Sequence, residues 1–344
     1  ATKTVYEQML GDVGAYDRDG VQIERLSFDD LAVTSAVLRW CSRLGMGGFL
    51  TNVVFIRNLV RRLSGINILH VVHPAHMSGR SWPVVLVMVG RFFGRKVILD
   101  YSGPLVLSRL AGKSALVQKI WRLCDLILVP SKYQEQLINM LGGRAYYRHP
   151  PVLPSKIASR VIDRVQPRLL VVSDLEREHN VACAVRAFKL VKQKYPRTEL
   201  IIVGSGQQRG ALEDLVGRER TAGVSFTGEL SEENRRRQFE NSDIFINCSM
   251  VDYLSGATLE ALAYGLPVLT TPLGGGLGLF RDRDNIVQLS YSNSVALAER
   301  IIELVEDPRL VERLSRRSRE TALALERDTV GQGRLEPYRK VLGS

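Results

Sequence analysis

The chain has 344 residues, 45% of them hydrophobic and 24% charged, and a formal net charge of +11 at pH 7. That length is a prior for two domains, and the composition is that of an ordinary globular chain. Four widely spaced cysteines, Cys41, Cys124, Cys183 and Cys248, form no CxxC pair, which argues against a disulfide framework or a zinc site and for buried thiols in a reducing compartment.

From Ala1 the chain reads at once as a helix, "KTVYEQMLGDVGAY", with no signal-peptide pattern, and residues upstream are expected to be missing. Strands are then expected at "VQIERLS" from Val21, "INILHVV" from Ile66, "KVILDY" from Lys96 and "DLILVP" from Asp125. A second series follows: "RLLVVS" from Arg168, "ELIIVG" from Glu199, "VSFTG" from Val224, "DIFINCS" from Asp243, "PVLTT" from Pro267 and "IVQLS" from Ile286. Several are near-continuous apolar runs, the pattern of parallel strands buried on both faces. Helical stretches such as "VACAVRAFKLVKQKY" (181–195) and "SVALAERIIELVED" (294–307) separate them, which predicts α/β domains with right-handed crossovers. The prolines of "HPPVLPSK" (149–156) break either element and mark a linker. The expected domains are 1–150 and 151–325, with a helical tail over 326–344 packing back on the first. Two doubly wound domains facing a cleft would bind ligands outside the carboxyl ends of their strands.

The positive charge is concentrated. Residues 51–150 carry 14 Lys/Arg against 3 Asp/Glu, whereas 151–344 carry 28 against 26. The basic residues sit among large apolar ones, as in "FIRNLVRRL" (55–63) and "GRFFGRK" (90–96). This mixture suits a surface resting on anionic headgroups, with a solvated face as the alternative. No nucleic-acid-binding motif accompanies it. No run reaches the length of a membrane span; the densest, "PVVLVMVG" (83–90), is too short. The expected localisation is cytoplasmic, peripheral at the inner face of the membrane.

Two carboxylates, Asp252 and Glu260, frame the turn "SGAT" (255–258) where "TLEALAYG" (258–265) starts a helix. Gly256 lets a ligand approach the backbone. Unpaired N–H groups around Ser255, Gly256 and Ala257, with the helix dipole, would hold a diphosphate, and Thr258 could cap the helix. Glu260 can accept from vicinal hydroxyls such as those of a ribose. A plainer reading makes Asp252 a loop residue and Glu260 a first-turn acid complementing the dipole. Gly204 and Gly206 in "VGSGQQRG" (203–210) are likewise either a structural turn or a close approach to a nucleotide.

The order of "VPSKYQEQL" (129–137), "RLLVVSDLEREHNVACAVRAF" (168–188), "ELIIVGSGQQRGAL" (199–212), "VSFTGELSEENRRRQFENSDIFINCS" (224–249) and "VDYLSGATLEALAYGLPVLTTPLGGG" (251–276) resembles the retaining glycosyltransferases of family 4. These are group 1 glycosyl transferases with the GT-B fold, two Rossmann-like domains facing a cleft. The resemblance runs from about Val53 to the end. It implies a nucleotide diphosphate-sugar donor bound by Leu254, Ser255, Gly256, Ala257, Thr258, Gly204, Gly206, Asp174, Gly274 and Gly275. Asp252, Glu260 and His179 are implied as the catalytic set. Ser102, Gly103, His73 and His76 would lie on the acceptor side, with a core or surface role as likely for the two histidines as a place at the cleft mouth. The class needs no bound metal and no cofactor.

Two positions depart from the pattern that the resemblance implies. Where the family has an Arg and, five residues on, a Lys that neutralise the diphosphate, this chain has Asp174 and His179, followed by Asn180 in place of the usual glycine. Asp174 adds repulsion, while His179 could serve if protonated. Where many members have a His after the strand matching "KVILDYSGP" (96–104), Ser102 stands. The reading that follows is a retaining sugar transferase acting on a glycan or lipid-linked acceptor. Its rivals are a degenerate member that binds without turnover and a sugar-nucleotide epimerase.

Overall fold

The computed structural model describes residues 63, 66–73, 82–101, 114–148, 161–163, 167–250, 255–271, 279–289, 293–330 and 336–343. The strand expected from Val21 and the linker at 149–156 lie outside the described residues. So do Cys41, Ser102, Gly103, His76, Asp252, Leu254, Gly274 and Gly275.

The first sheet is built from β1 (Ile68–His73), α1 (Trp82–Phe92), β2 (Lys96–Tyr101), α2 (Ser114–Leu123), β3 (Leu126–Val129), α3 (Lys132–Met140) and β4 (Ala145–Tyr147). Its strands run parallel in the order β1-β2-β3-β4. Alternation along each strand divides the side chains between two covers. Leu69, Val71, Val97, Leu99, Tyr101, Ile127 and Val129 pack with Val87, Ile120, Trp121 and Ile138 of the three helices. The opposite set, Ile98, Leu126 and Leu128, packs against Tyr338 and Val341 of the last helix, α10 (Glu336–Leu342). The Tyr338 hydroxyl lies 2.8 Å from Nδ1 of His70, and Lys340 Nζ stands 4.9 Å over the Tyr146 ring. Burial pushes His70 down to about 4, with Asp100 opposing and Arg148 assisting.

The second sheet comprises β5 (Arg168–Val172), α4 (Val181–Lys194), β6 (Glu199–Val203), α5 (Arg209–Arg218), β7 (Val224–Gly228), α6 (Glu232–Asn241), β8 (Ile244–Asn247), α7 (Gly256–Ala263), β9 (Val268–Thr270), β10 (Val287–Gln288), α8 (Ser294–Glu306) and α9 (Pro308–Val330). All six strands are parallel, in the order β10-β9-β8-β5-β6-β7. The chain therefore starts at the centre with β5, builds outward to β7, then returns beside β5 and builds outward the other way. The return places the carboxyl ends of β5 and β8 side by side, and their crossovers leave in opposite directions. A crevice opens there, which is where such sheets bind ligands.

The strands expected from Ile66 onward all form. β4 was not foreseen: its three residues, Ala145–Tyr147, are half-buried and present no apolar run. Cys124, Cys183 and Cys248 are buried free thiols. Among the described residues no helix is long and apolar enough to cross a membrane.

Candidate functional site

Three loops meet at the crevice. The first follows β5 and runs through Asp174 to a short 3-10 turn at Arg177–His179. Asn180 then starts α4 in the left-handed conformation, at φ 50°. Asn is the residue after Gly that best tolerates this region, so the backbone geometry is kept without the glycine.

His179 is 7% exposed and lines, with Ser173, Asn247 and Cys248, a cavity of about 10 Å³ at the floor of this region. Its Nδ1 lies 3.3 Å from the hydroxyl of Ser249, just after β8. Burial holds the imidazole below its ordinary pKa, while the carboxylates of Asp174, Glu178 and Glu176 pull it the other way. The net direction is downward. Without an anion beside it, His179 therefore favours the neutral form, and its service as a cation depends on protonation, as the sequence reading supposes. Asp174 itself is exposed.

The second loop is the glycine turn after β6. Gly204 has φ +136° and Gly206 φ +154°. A Cβ at Gly204 would fall 2.0 Å from the Ser173 carbonyl oxygen, and one at Gly206 2.5 Å from that of Leu175. Backbone bonds from Ser173 N to Val203 O (3.0 Å) and Leu175 N to Ser205 O (2.7 Å) hold the two loops together. Both glycines are thus required by the close approach of the β5 loop's backbone, which is the structural-turn role.

The third loop leads into α7. Ser255, not Thr258, is the N-cap, and its side chain makes no capping bond. Thr258 sits within the first turn, 1% exposed, and its hydroxyl accepts from Asn247 Nδ2 at 3.2 Å. Asn247 Oδ1 accepts from Ser249 N at 3.1 Å, and Thr271 Oγ1 donates to the Ser249 carbonyl at 2.5 Å. This polar net ties the ends of β8 and β9 to the start of α7; none of Asn247, Ser249 or Thr271 was singled out in the sequence, where no spacing marks them. Among the described residues, the N–H groups of Gly256, Ala257 and Thr258 have no partner. A Cβ at Gly256 would meet nothing within 4 Å. The helix start is therefore an open cluster of donors at its positive end, suited to an anion.

Glu260 lies one turn further on. Its Oε1 accepts from Nη2 of Arg235 on α6 at 3.0 Å, with side-chain exposures of 14% and 11%. Burial pushes the Glu260 carboxyl up, and Arg235 opposes that push. Of the acceptor-side residues only His73 is placed, as the last residue of β1 in register with Tyr101. No group of three His, Cys, Asp or Glu side chains converges among the described residues.

Two parallel sheets, the second with its strand order reversing at β5 and β8, define the GT-B fold. Residues 155–321 match the family model described as Glycosyl transferases group 1. Anabaena HepE, solved in complex with UDP and glucose, shares the fold at a TM-score of 0.66 and 15% identity, over 82% of this chain and 81% of that one. The phosphatidyl-myo-inositol mannosyltransferase of Propionibacterium freudenreichii is 30% identical over 126 residues, 36% of this chain and 30% of that protein. The glycogen synthase of Mycobacterium tuberculosis is 27% identical over 153 residues, 44% of this chain and 37% of that protein. The matching segments thus span about a third of the length of these curated relatives.

Proposed function

We propose that the protein is a glycosyltransferase that takes a sugar from a nucleotide diphosphate-sugar and transfers it, with retention of anomeric configuration, to a glycan or lipid-linked acceptor. The observation that carries this reading is the open start of α7 at the β5/β8 crevice. Its three N–H groups, without a partner among the described residues, suit the diphosphate, and Glu260 one turn on suits a ribose. Relatives that share the donor half support it. A departing diphosphate would be stabilised by those N–H groups and by a protonated His179, with Asp252 at the sugar. No metal or cofactor enters the proposal. Calorimetry with a panel of nucleoside diphosphates, followed by transfer and donor-hydrolysis assays of the wild type and Glu260→Ala, tests it. Full activity in that variant overturns the donor-site assignment.

Acceptor and place are also proposed. In parallel α/β layers the helices run against the strands, so the ends of α1, α2 and α3 gather at the amino edge of the first sheet. There Phe92 is 84% and Met140 83% exposed, with Phe93, Leu123 and Leu141 beside them. Arg91, Arg95, Lys96, Arg122 and Arg144 lie at the same ends of these elements in the sequence, Arg91 and Lys96 being paired with Asp125. Apolar tips within a basic rim support contact with an anionic membrane and hence a peripheral, cytoplasmic enzyme working on an envelope glycan or its lipid-linked precursor.

A second reading, binding without turnover, is favoured by one observation: an exposed Asp174 and a neutral, buried His179 stand at the two positions where the resemblance implies cations. Nucleoside diphosphate binding with neither transfer nor hydrolysis would select it.

A further inference from the structure

We propose that Arg235 is a positioning residue for the nucleotide: its guanidinium fixes the Glu260 carboxylate through Oε1 and leaves Oε2 to accept from the vicinal hydroxyls of a ribose. This rests on the donor reading of Glu260. The pair spans two helices, α6 and α7, which Phe239 of α6 and Tyr264 beyond α7 also join by stacking at 5.4 Å with a 7° interplanar angle. Arg235 and Glu260 are both largely withdrawn from water, and the contact uses one oxygen and one nitrogen. Among the described residues Oε2 has no protein partner. The Arg235 Nε is buried and unpartnered, so the guanidinium is spent on this one carboxylate.

The charges set against Glu260 are those of Arg235 and Glu232, both on α6. Tyr264, on the turn after α7, faces it too and is itself pushed up to about 12, chiefly by burial. Among the described residues no charge from α9, which packs against α7, bears on it. Among the described residues Arg235 is therefore the cation that opposes the protonation of a largely buried carboxylate. Remove it, and burial together with Glu232 would favour the protonated acid, which accepts poorly from a diol.

The test compares UDP with 2′,3′-dideoxy-UDP by calorimetry at several pH values, for wild type, Arg235→Met, Arg235→Lys and Glu260→Gln. A charge-assisted bond to the diol should make the wild type prefer UDP by about tenfold or more. Arg235→Met should lose most of that preference at neutral pH and regain part of it as pH rises. Arg235→Lys should keep it. If Glu260→Gln loses the preference while Arg235→Met keeps it at every pH, Arg235 is structural only and the proposal falls. If Glu260→Gln keeps it, or no variant including wild type prefers UDP, the ribose reading of Glu260 falls and takes the proposal with it. Melting temperatures separate these outcomes from misfolding, since a folded Arg235→Met with unchanged preference already overturns it.

Discussion

The Ser249 hydroxyl lies 3.3 Å from Nδ1 of His179, joining the loops that leave β5 and β8 at the point where the strand order reverses. Burial keeps this imidazole below its ordinary pKa against three nearby carboxylates. A diphosphate docked at α7 would favour the charged form. Binding of UDP should therefore take up a proton and tighten as pH falls through the ordinary imidazole range, by roughly tenfold at most. Calorimetry in two buffers of different ionisation enthalpy reads the uptake directly. His179→Gln should abolish it; uptake that persists in that variant assigns the proton elsewhere.

Gly206 and Gly256 should respond oppositely to the same substitution. Gly206→Ala sets a Cβ 2.5 Å from the Leu175 carbonyl oxygen at φ +154° and should cost about 2–3 kcal/mol of stability. Gly256→Ala points into open space at the first position of α7, so its melting temperature should hold or rise slightly. Its affinity for UDP should fall instead, because the methyl group occupies the approach to the N–H groups. Thermal melts and a UDP titration of both variants check the contrast. A Gly256→Ala protein that binds UDP normally would mean that no ligand comes close there.

The contrast also marks how far the chain can be read unaided. β5, β6 and β8 are legible because strands buried on both faces run continuously apolar. β4 escapes because half-buried residues need no such run. The start of α7 shows in its Ser-Gly pair, yet Thr258 imitates an N-cap from inside the first turn, and its burial against Asn247 depends on the sheet. The glycines 204 and 206 announce an unusual turn without saying what fills the space, which is the Ser173–Leu175 backbone. Arg235 stands in a run of three arginines whose division of labour is decided only when α6 packs beside α7: Arg235 meets Glu260, while Arg236 and Arg237 meet Glu240 and Glu233 on their own helix.

The rim at the amino edge of the first sheet makes a separable prediction. Phe92→Ser with Met140→Ser removes two of the most exposed apolar side chains there and touches neither the crevice nor the core. Vesicles containing phosphatidylglycerol should sediment the wild type and should lose about tenfold or more of their hold on the double variant. Pure phosphatidylcholine should hold both weakly, since the attraction includes the basic residues. UDP binding should be unchanged. Equal sedimentation of the two proteins with anionic vesicles would count against this surface.

The fastening of α10 to the first sheet should show itself in acid. His70 titrates at about 4 instead of its ordinary 6.5 because it is buried beside Tyr338. The unfolded chain thus takes up a proton near 6.5 that the folded chain declines until about 4. Stability from the neutral imidazole is complete above 6.5 and is lost progressively as pH falls to about 4, after which the loss levels off. A fifth of the side chain remains exposed, so the loss should be about 2 kcal/mol, below the roughly 3 that the full shift implies. Tyr338→Phe removes the hydroxyl at Nδ1 and should cost about 1–2 kcal/mol at neutral pH. His70→Gln should flatten the decline between 6.5 and 4. Urea melts of the three proteins across that range read both effects, and an undiminished decline in His70→Gln would place the acid-sensitive group elsewhere.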